Sequence, residues 1–191
     1  MIRAVELVRE AAAQGCGMVV FPETWLSGYP TFVWRLPPGA GMGKTDQLYA
    51  LSQANSVDLS KDGLRPLQDA AKDHQVVIVL GYQEIDGSLS GSTLFNSCAI
   101  IDADGRLANN HRKLMPTFTE RLFWGQGDAR DLVVFDTDIG RLGGLICGEH
   151  VMTLVRACMI AQGEDIHVAV FPGAFELHTG PQLEEPEQAG G

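Results

Sequence analysis

The spacing of apolar positions along the chain predicts helices that alternate with strands. Apolar side chains recur at intervals of three and four over residues 2–14, the period of an amphipathic helix, and the stretch MVVF (18–21) follows as a short buried strand. Helices expected at 45–55 and 64–74 precede a second apolar strand, VVIVLGY (76–82). This repeated order of helix and strand indicates an α/β domain.

Two β-hairpins are predicted further along the chain. The stretches 94–101 and 107–112 flank the sequence DADG (102–105), and an Asp-Gly pair supplies the positive backbone angles that a tight turn requires. Residues 132–147 repeat this design around a turn at 138–140, and their second strand ends on a cysteine. We therefore expect antiparallel pairs beside the strands that follow helices.

The last third of the chain is expected to add a helix, a strand and a polar tail. Residues 151–162 are apolar almost all round, which predicts a helix buried on several sides, and HVAVF (167–171) predicts one more strand. The segment 177–191 is acidic and rich in Pro and Gly, a composition typical of disorder. We therefore expect a single α/β domain with a mixed sheet over residues 1–176 and a disordered tail after it.

The composition excludes several classes of protein. With 45% hydrophobic and 20% charged residues, the 191-residue chain is suited to bury a core, and its net charge of −10 disfavours nucleic acid as a partner. Its apolar stretches are far shorter than the roughly 20 residues that cross a bilayer, so no membrane span is expected. The N-terminal segment lacks an apolar signal sequence, and the four cysteines form no C-x-x-C pair. A cytoplasmic protein without a zinc ribbon or a disulfide framework is the prediction.

Three residues with reactive side chains follow predicted strands directly. Glu23 comes after MVVFP, Lys113 after LANNHR, and Cys147 closes RLGGLI. Because ligands of open α/β sheets bind beyond the carboxyl ends of the strands, we expect these residues to converge. A thiol nucleophile, a carboxylate base and an ammonium group together suit acyl transfer. Taken singly, each also has a purely structural explanation, since such a Cys is usually a core residue and such Glu and Lys side chains are usually solvated.

Two other kinds of site fit the sequence less well. The sequence PGAGMGKT (38–45) is similar to a phosphate-binding loop, but Pro38 stands where that pattern needs Gly, and no buried strand leads directly into it. A metal site made by Cys147, Glu149 and His150 lacks a second ligand pair at a recognised spacing. We expect neither a nucleotide nor a metal.

Three sequence blocks resemble the signature blocks of one enzyme family. They are VVFPETWLSGYP (19–30), HRKLMPTFTERLFWGQGD (111–128) and GGLICGEH (143–150). In this order they are similar to the nitrilase branch of the carbon–nitrogen hydrolases. GSTLFNSCAIID (91–102) and AQGEDIHVAVFPG (161–173) add to the similarity, so the resemblance covers nearly all of the chain up to Phe175.

The resemblance implies both a fold and a mechanism. The fold is an α-β-β-α sandwich of two sheets with helices on both outer faces. Cys147 is then the nucleophile, Glu23 the general base and Lys113 the group that stabilises the tetrahedral intermediate, and no metal or organic cofactor is needed. Glu120 matches a second family glutamate that positions the substrate and the lysine, and its alternative is a surface ion pair with Arg121. The implied reaction converts a nitrile to a carboxylic acid and ammonia through a thioimidate and a thioester.

The substrate itself is left open as a nitrile or an amide. Aromatic residues crowd the three blocks, which favours an apolar or aryl nitrile if they line a pocket, although core packing explains them equally well. Gly148 stands where many relatives carry Trp, and this departure leaves the substrate range uncertain. The residues expected to contact substrate are Trp25, Tyr29, Thr117, Gly148 and His150.

The chain also departs from the family pattern at its ends. It starts without the opening strand of the relatives, and the elements that follow Phe175 in them are replaced by the acidic tail. An incomplete sandwich would expose apolar edges. We therefore expect lower stability than in a complete member, together with self-association or low activity, whereas the complete family member is expected to be a homo-oligomer. The alternatives to a nitrilase are an amidase of the same family and an inactive fragment that acts only in assembly.

Overall fold

The computed structural model describes residues 1–35, 42–87 and 90–173, which form helices and strands in alternation. The helices in these ranges are α1 (Ile2–Ala13), α2 (Met42–Ala54), α3 (Arg65–His74) and α4 (Thr153–Ala161). The strands are β1 (Met18–Phe21), β2 (Val77–Ile85), β3 (Leu94–Ile101), β4 (Leu107–Arg112), β5 (Phe135–Thr137), β6 (Gly140–Ile146) and β7 (Ile166–Val170).

The strands form two sheets, each with parallel and antiparallel pairs. The first sheet has the order β1-β2-β3-β4, in which only β1 and β2 are parallel, and the second has the order β5-β6-β7, in which β6 and β7 are parallel. Two antiparallel steps separate β2 from β4, so β1, β2 and β4 all run in the same direction. Their carboxyl ends therefore lie at one edge of the first sheet.

The two sheets pack face to face with helices outside, which confirms the predicted α-β-β-α sandwich. Alternation along each strand sends one set of apolar side chains inward. The core between the sheets consists of Val77, Val79, Cys98 and Ile100 from the first sheet and Leu142, Ile146, Val168 and Val170 from the second. Outside the first sheet, α1 and α3 cover β2 through buried residues such as Val8 and Leu67. Outside the second sheet, Met159 of α4 packs on Leu145.

Most predicted elements are confirmed, with shifts of a few residues at their ends. Strand β2 extends to Ile85, beyond the predicted end at 82, and the first strand of the second hairpin shortens to Phe135–Thr137. The turn at 102–105 places Gly105 at a φ of +85°, the left-handed conformation that its hairpin requires. No helix among the described residues is long and apolar enough to cross a membrane.

Two expectations about burial are wrong. Helix α4 is not buried on several sides, because Leu154 is 85% and Ile160 is 62% exposed while Met159 is the residue that it buries. Only the face of α4 that rests on the second sheet is covered, so its apolar composition overstated its burial. Strand β1 is likewise only partly buried, since it is the edge strand of its sheet and leaves Val20 42% exposed.

Two further expectations fall wholly or partly outside the described residues. The tail expected at 177–191 lies outside the described residues, which end at 173. Of the sequence PGAGMGKT, residues 38–41 lie outside them as well, while Lys44 and Thr45 belong to the first turn of α2.

Candidate active site

The candidate active site forms where strand ends from both sheets meet. Glu23 follows β1, Lys113 follows β4 and Cys147 follows β6, as predicted. The backbone N–H of Glu23 donates to the carbonyl of Phe171 at 3.1 Å, which ties the end of β1 to the end of β7. Thr24 and Cys147 both adopt positive φ values, +47° and +45°, that non-glycine residues rarely take. Such strained backbone is common where a side chain must be presented at a functional site.

Lys113 lies between two carboxylates at the centre of the site. Its Nζ donates to Glu23 Oε1 at 2.9 Å and to Glu120 Oε2 at 2.8 Å, and all three side chains are buried. Strands β1 and β4 are three strand spacings apart, about 14 Å, and the long side chains of Glu23 and Lys113 cover that distance. Burial alone would lower the pKa of Lys113, but the two carboxylates outweigh it and raise that pKa above its ordinary value, so the group is an ammonium.

The two carboxylate oxygens of Glu23 have different surroundings. Oε1 accepts from Lys113 and also from Asn96 Nδ2 at 2.6 Å, whereas the buried Oε2 has no hydrogen-bond partner among the described residues. Burial raises the pKa of Glu23, and the charge of Lys113 opposes that rise. Glu23 is therefore held firmly through one oxygen and keeps the other available to receive a proton.

Glu120 is an interior residue and not half of a surface ion pair with Arg121. Its Oε2 accepts from Lys113 and from the backbone N–H of Thr117 at 2.7 Å, and its Oε1 accepts from the Tyr29 hydroxyl. Arg121 instead donates from Nε to the carbonyl of Pro116 at 3.0 Å. The surface alternative considered for Glu120 is therefore wrong, and its carboxylate holds Lys113 from the side opposite Glu23.

Cys147 is half-buried beside these charges. Burial, followed by the nearby Glu23 carboxylate, raises the pKa of the thiol to about 11, while Lys113 acts in the opposite direction. The resting side chain at neutral pH is accordingly a protonated thiol. Cys98 lies in the core with its pKa raised to about 12 by burial, whereas Cys16 and Cys158 are exposed.

The structure gathers four of the five residues expected to contact substrate around this cluster. Tyr29 and Thr117 both bind Glu120, and Tyr29 Oη accepts from Trp34 Nε1 at 2.9 Å. Thr117 also lies so close to Gly148 that a Cβ at residue 148 would come within 2.8 Å of Thr117 Oγ1. His150 Nδ1 donates to the carbonyl of Cys147 at 2.7 Å.

Trp25 is the fifth of these residues, and the structure does not bring it to the cluster. Its ring packs on Phe21 with centroids 4.7 Å apart, in the core beneath α1 and α3. Several other aromatic side chains of the signature blocks also serve packing, since Phe32, Phe123 and Trp124 join a separate apolar cluster. Phe118 differs from them, because it has a φ of +46° and is largely exposed beside Trp34.

Three polar residues of the site were not singled out as functional groups from the sequence. Asn96 donates a hydrogen bond to Glu23, and the side chains of Glu149 and His111 form a buried pair. Two of them left a signal in the sequence. Asn96 is a polar residue within the apolar strand LFNSCAII, and His111 shares a strand face with Lys113 because the two residues are two positions apart. Glu149 was weighed only as a metal ligand, but its carboxylate is occupied by His111 and two backbone N–H groups.

Comparison with known proteins adds independent information on the family. The family model for carbon–nitrogen hydrolases matches residues 1–188. The chain is 40% identical over 171 residues to an aliphatic nitrilase of Rhodococcus rhodochrous, covering 90% of this chain and 45% of that protein. It is 38% identical over 177 residues to an arylacetone-specific nitrilase of Alcaligenes faecalis, covering 93% and 47%.

A solved structure supports the same fold at lower sequence identity. The carbon–nitrogen hydrolase from Helicobacter pylori G27 superposes with a TM-score of 0.61 at 19% identity, over 88% of this chain and 53% of that one. The chain spans about half the length of the curated relatives it matches.

Proposed function

The chain belongs to the carbon–nitrogen hydrolase family, and on that premise we propose that it hydrolyses a non-peptide carbon–nitrogen bond, most simply that of a nitrile. One observation carries the proposal. Lys113 is buried between Glu23 and Glu120 next to a thiol, and the free oxygen of Glu23 is the one that can take the thiol proton. The similarity to two nitrilases supports a nitrile as the substrate.

The first half of the proposed reaction builds a covalent intermediate. Glu23 Oε2 removes the proton of Cys147, and the thiolate sulfur forms a bond to the nitrile carbon. One electron pair of the carbon–nitrogen triple bond moves to the nitrogen, which takes up the proton and gives a thioimidate. A first water then adds to the thioimidate carbon, and the tetrahedral intermediate expels ammonia to leave a thioester on Cys147.

The second half releases the acid. Glu23 takes a proton from a second water, whose oxygen adds to the thioester carbon, and the carbon–sulfur bond breaks to return the proton to the Cys147 thiol. In sum, one nitrile and two waters give one carboxylic acid and one ammonia. Lys113 stabilises the negative charge that develops on nitrogen or oxygen in each addition, and Glu120 holds the ammonium group in place.

Ammonia release from nitriles and from the matching amides tests this proposal. We expect nitrile turnover by the unmodified chain and none by Cys147→Ala, while Cys158→Ala, which removes an exposed thiol, should retain it. Faster release from the amides would assign an amidase of the same family instead. If neither class releases ammonia from a folded chain, the enzymatic proposal is wrong and a role in assembly alone is favoured.

A further inference from the structure

The buried carboxylate of Glu149 connects the end of β4 to the end of β6, and we infer that it is a positioning residue that sets Cys147 against Lys113. This inference rests on the proposed hydrolysis, because it assigns Glu149 a part in that reaction without contact to the substrate.

The contacts of Glu149 fall on the immediate neighbours of both reactive residues. Its Oε2 accepts from the backbone N–H of Ile146, the residue before Cys147, at 2.8 Å. Its Oε1 accepts from the backbone N–H of Leu114, the residue after Lys113, at 2.8 Å. One rigid carboxylate therefore fixes the backbone beside the nucleophile in the second sheet and beside the ammonium in the first.

His111, a residue of β4, also contacts the carboxylate of Glu149. Its Nε2 lies 2.9 Å from both oxygens of Glu149, and both side chains are almost wholly buried. Burial would raise the pKa of Glu149, but the hydrogen bond and charge of His111, together with the two backbone donors, lower it below its ordinary value. Glu149 is thus ionised at neutral pH, which strengthens every hydrogen bond that it accepts.

The backbone at Cys147 explains why such an anchor is needed. Its φ of +45° is unfavourable for a residue with a side chain, and such a conformation persists only where the surroundings hold it. The Ile146 N–H is the last backbone donor before that strained residue. Glu149, three positions later in the chain, accepts a hydrogen bond from it. Loss of this bond would let the thiol move relative to Lys113.

The test compares Glu149→Gln with a matched substitution elsewhere. Glutamine keeps the size of the side chain, but its amide nitrogen accepts no hydrogen bond, so one of the anchored N–H groups loses its acceptor. We expect kcat for the nitrile to fall by about ten- to a hundredfold, with a smaller change in KM. The pH midpoint for alkylation of Cys147 by iodoacetamide, read by peptide mass spectrometry on folded protein, should also shift.

Glu84→Gln is the matched control. Glu84 is also buried and accepts from three side chains, but it lies on the outer side of the first sheet. This variant should lose stability while keeping the alkylation midpoint of the unmodified chain. An unchanged midpoint and kcat in Glu149→Gln, or the same changes in Glu84→Gln, would overturn the inference.

A second pair of variants decides the matter if Glu149→Gln does not fold. His111→Gln retains a donor at the position of Nε2, whereas His111→Leu removes it. We expect the alkylation midpoint of the unmodified chain in His111→Gln and a shifted one in His111→Leu, and equal midpoints would contradict the inference. Alkylation requires no nitrile turnover, so this readout separates failure of the positioning role from failure of the proposed function.

Discussion

The cluster around Lys113 and the helix α4 distribute polar and apolar side chains in opposite ways. The cluster buries the charges of Glu23, Lys113 and Glu120, whereas α4 leaves Leu154 and Ile160 largely in solvent. A buried charge is costly unless it is paired, and each charge in the cluster has an opposite partner within 2.9 Å. In these two regions, burial is therefore set by which elements meet there and not by the hydrophobicity of the segment itself.

Removal of Lys113 should break this arrangement most severely. Lys113→Met leaves two buried carboxylates without a cation, so we expect the free energy of unfolding at pH 7 to fall by about 3–5 kcal/mol in denaturant titrations. The pKa of Glu23, which burial already raises, would rise further in the folded variant without the opposing charge of Lys113, so part of the lost stability should return as the pH is lowered through it.

Lys61→Met serves as the control for that change. The Lys61 side chain is 80% exposed and pairs with Asp58 at 2.9 Å, so its loss should change the unfolding free energy by less than about 0.5 kcal/mol. Equal effects of the two substitutions would show that the buried ammonium is not needed to hold the two carboxylates.

Substitution of Glu23 should affect chemistry more than folding. Glu23→Gln keeps an oxygen for Lys113 and Asn96 but replaces the free Oε2 by a group that takes no proton, so nitrile turnover should fall by on the order of a hundredfold or more. The thiol pKa of Cys147, measured by pH-dependent alkylation, should decrease, because the nearby negative charge is gone while Lys113 remains. Turnover close to that of the unmodified chain would make the general-base role untenable.

Much of the fold followed from local sequence pattern. The Asp-Gly turn located the first hairpin, the turn at 138–140 located the second, and the strand ends located Glu23, Lys113 and Cys147. These features depend on residues that are adjacent in the chain, and a single sequence shows those residues directly. Burial of α4 and β1 depends instead on which element covers them, and that information is absent from the segment itself.

The polar contacts of the site were harder to predict for the same reason. Glu149 and His111 are 38 positions apart, and their pairing arises only when β4 and β6 end at the same place. The sequence contained both residues without a spacing that connects them. The prediction for Trp25 failed in the opposite way. Trp25 is close to Glu23 in sequence and was expected to contact substrate, but its ring packs in the core between the first sheet and helices α1 and α3.

Acid should weaken the connection made by Glu149 before it affects the apolar core. The pKa of this carboxyl is lowered from its ordinary value of 4.5, so the stability that it contributes is complete above that value and is lost as the pH falls through the folded pKa. The difference in unfolding free energy between the unmodified chain and Glu149→Gln should therefore shrink as the pH falls from the ordinary value of 4.5 through the folded pKa. A difference that stays constant as the pH falls would show that folding does not lower the pKa of Glu149.

The smallest effect is expected on the exposed side of α4, and it completes the comparison with the buried cluster. Leu154 is 85% exposed, so Leu154→Ala removes little buried area and should change the free energy of unfolding by less than about 0.5 kcal/mol. Met159 belongs to the same helix but is buried against Leu145, and Met159→Ala should cost about 2–5 kcal/mol through the cavity that it leaves. Denaturant titrations of both variants measure the difference at dilute protein concentration. A loss of several kcal/mol from Leu154→Ala would mean that this face of α4 is covered in solution, and the contrast with the cluster would then fail.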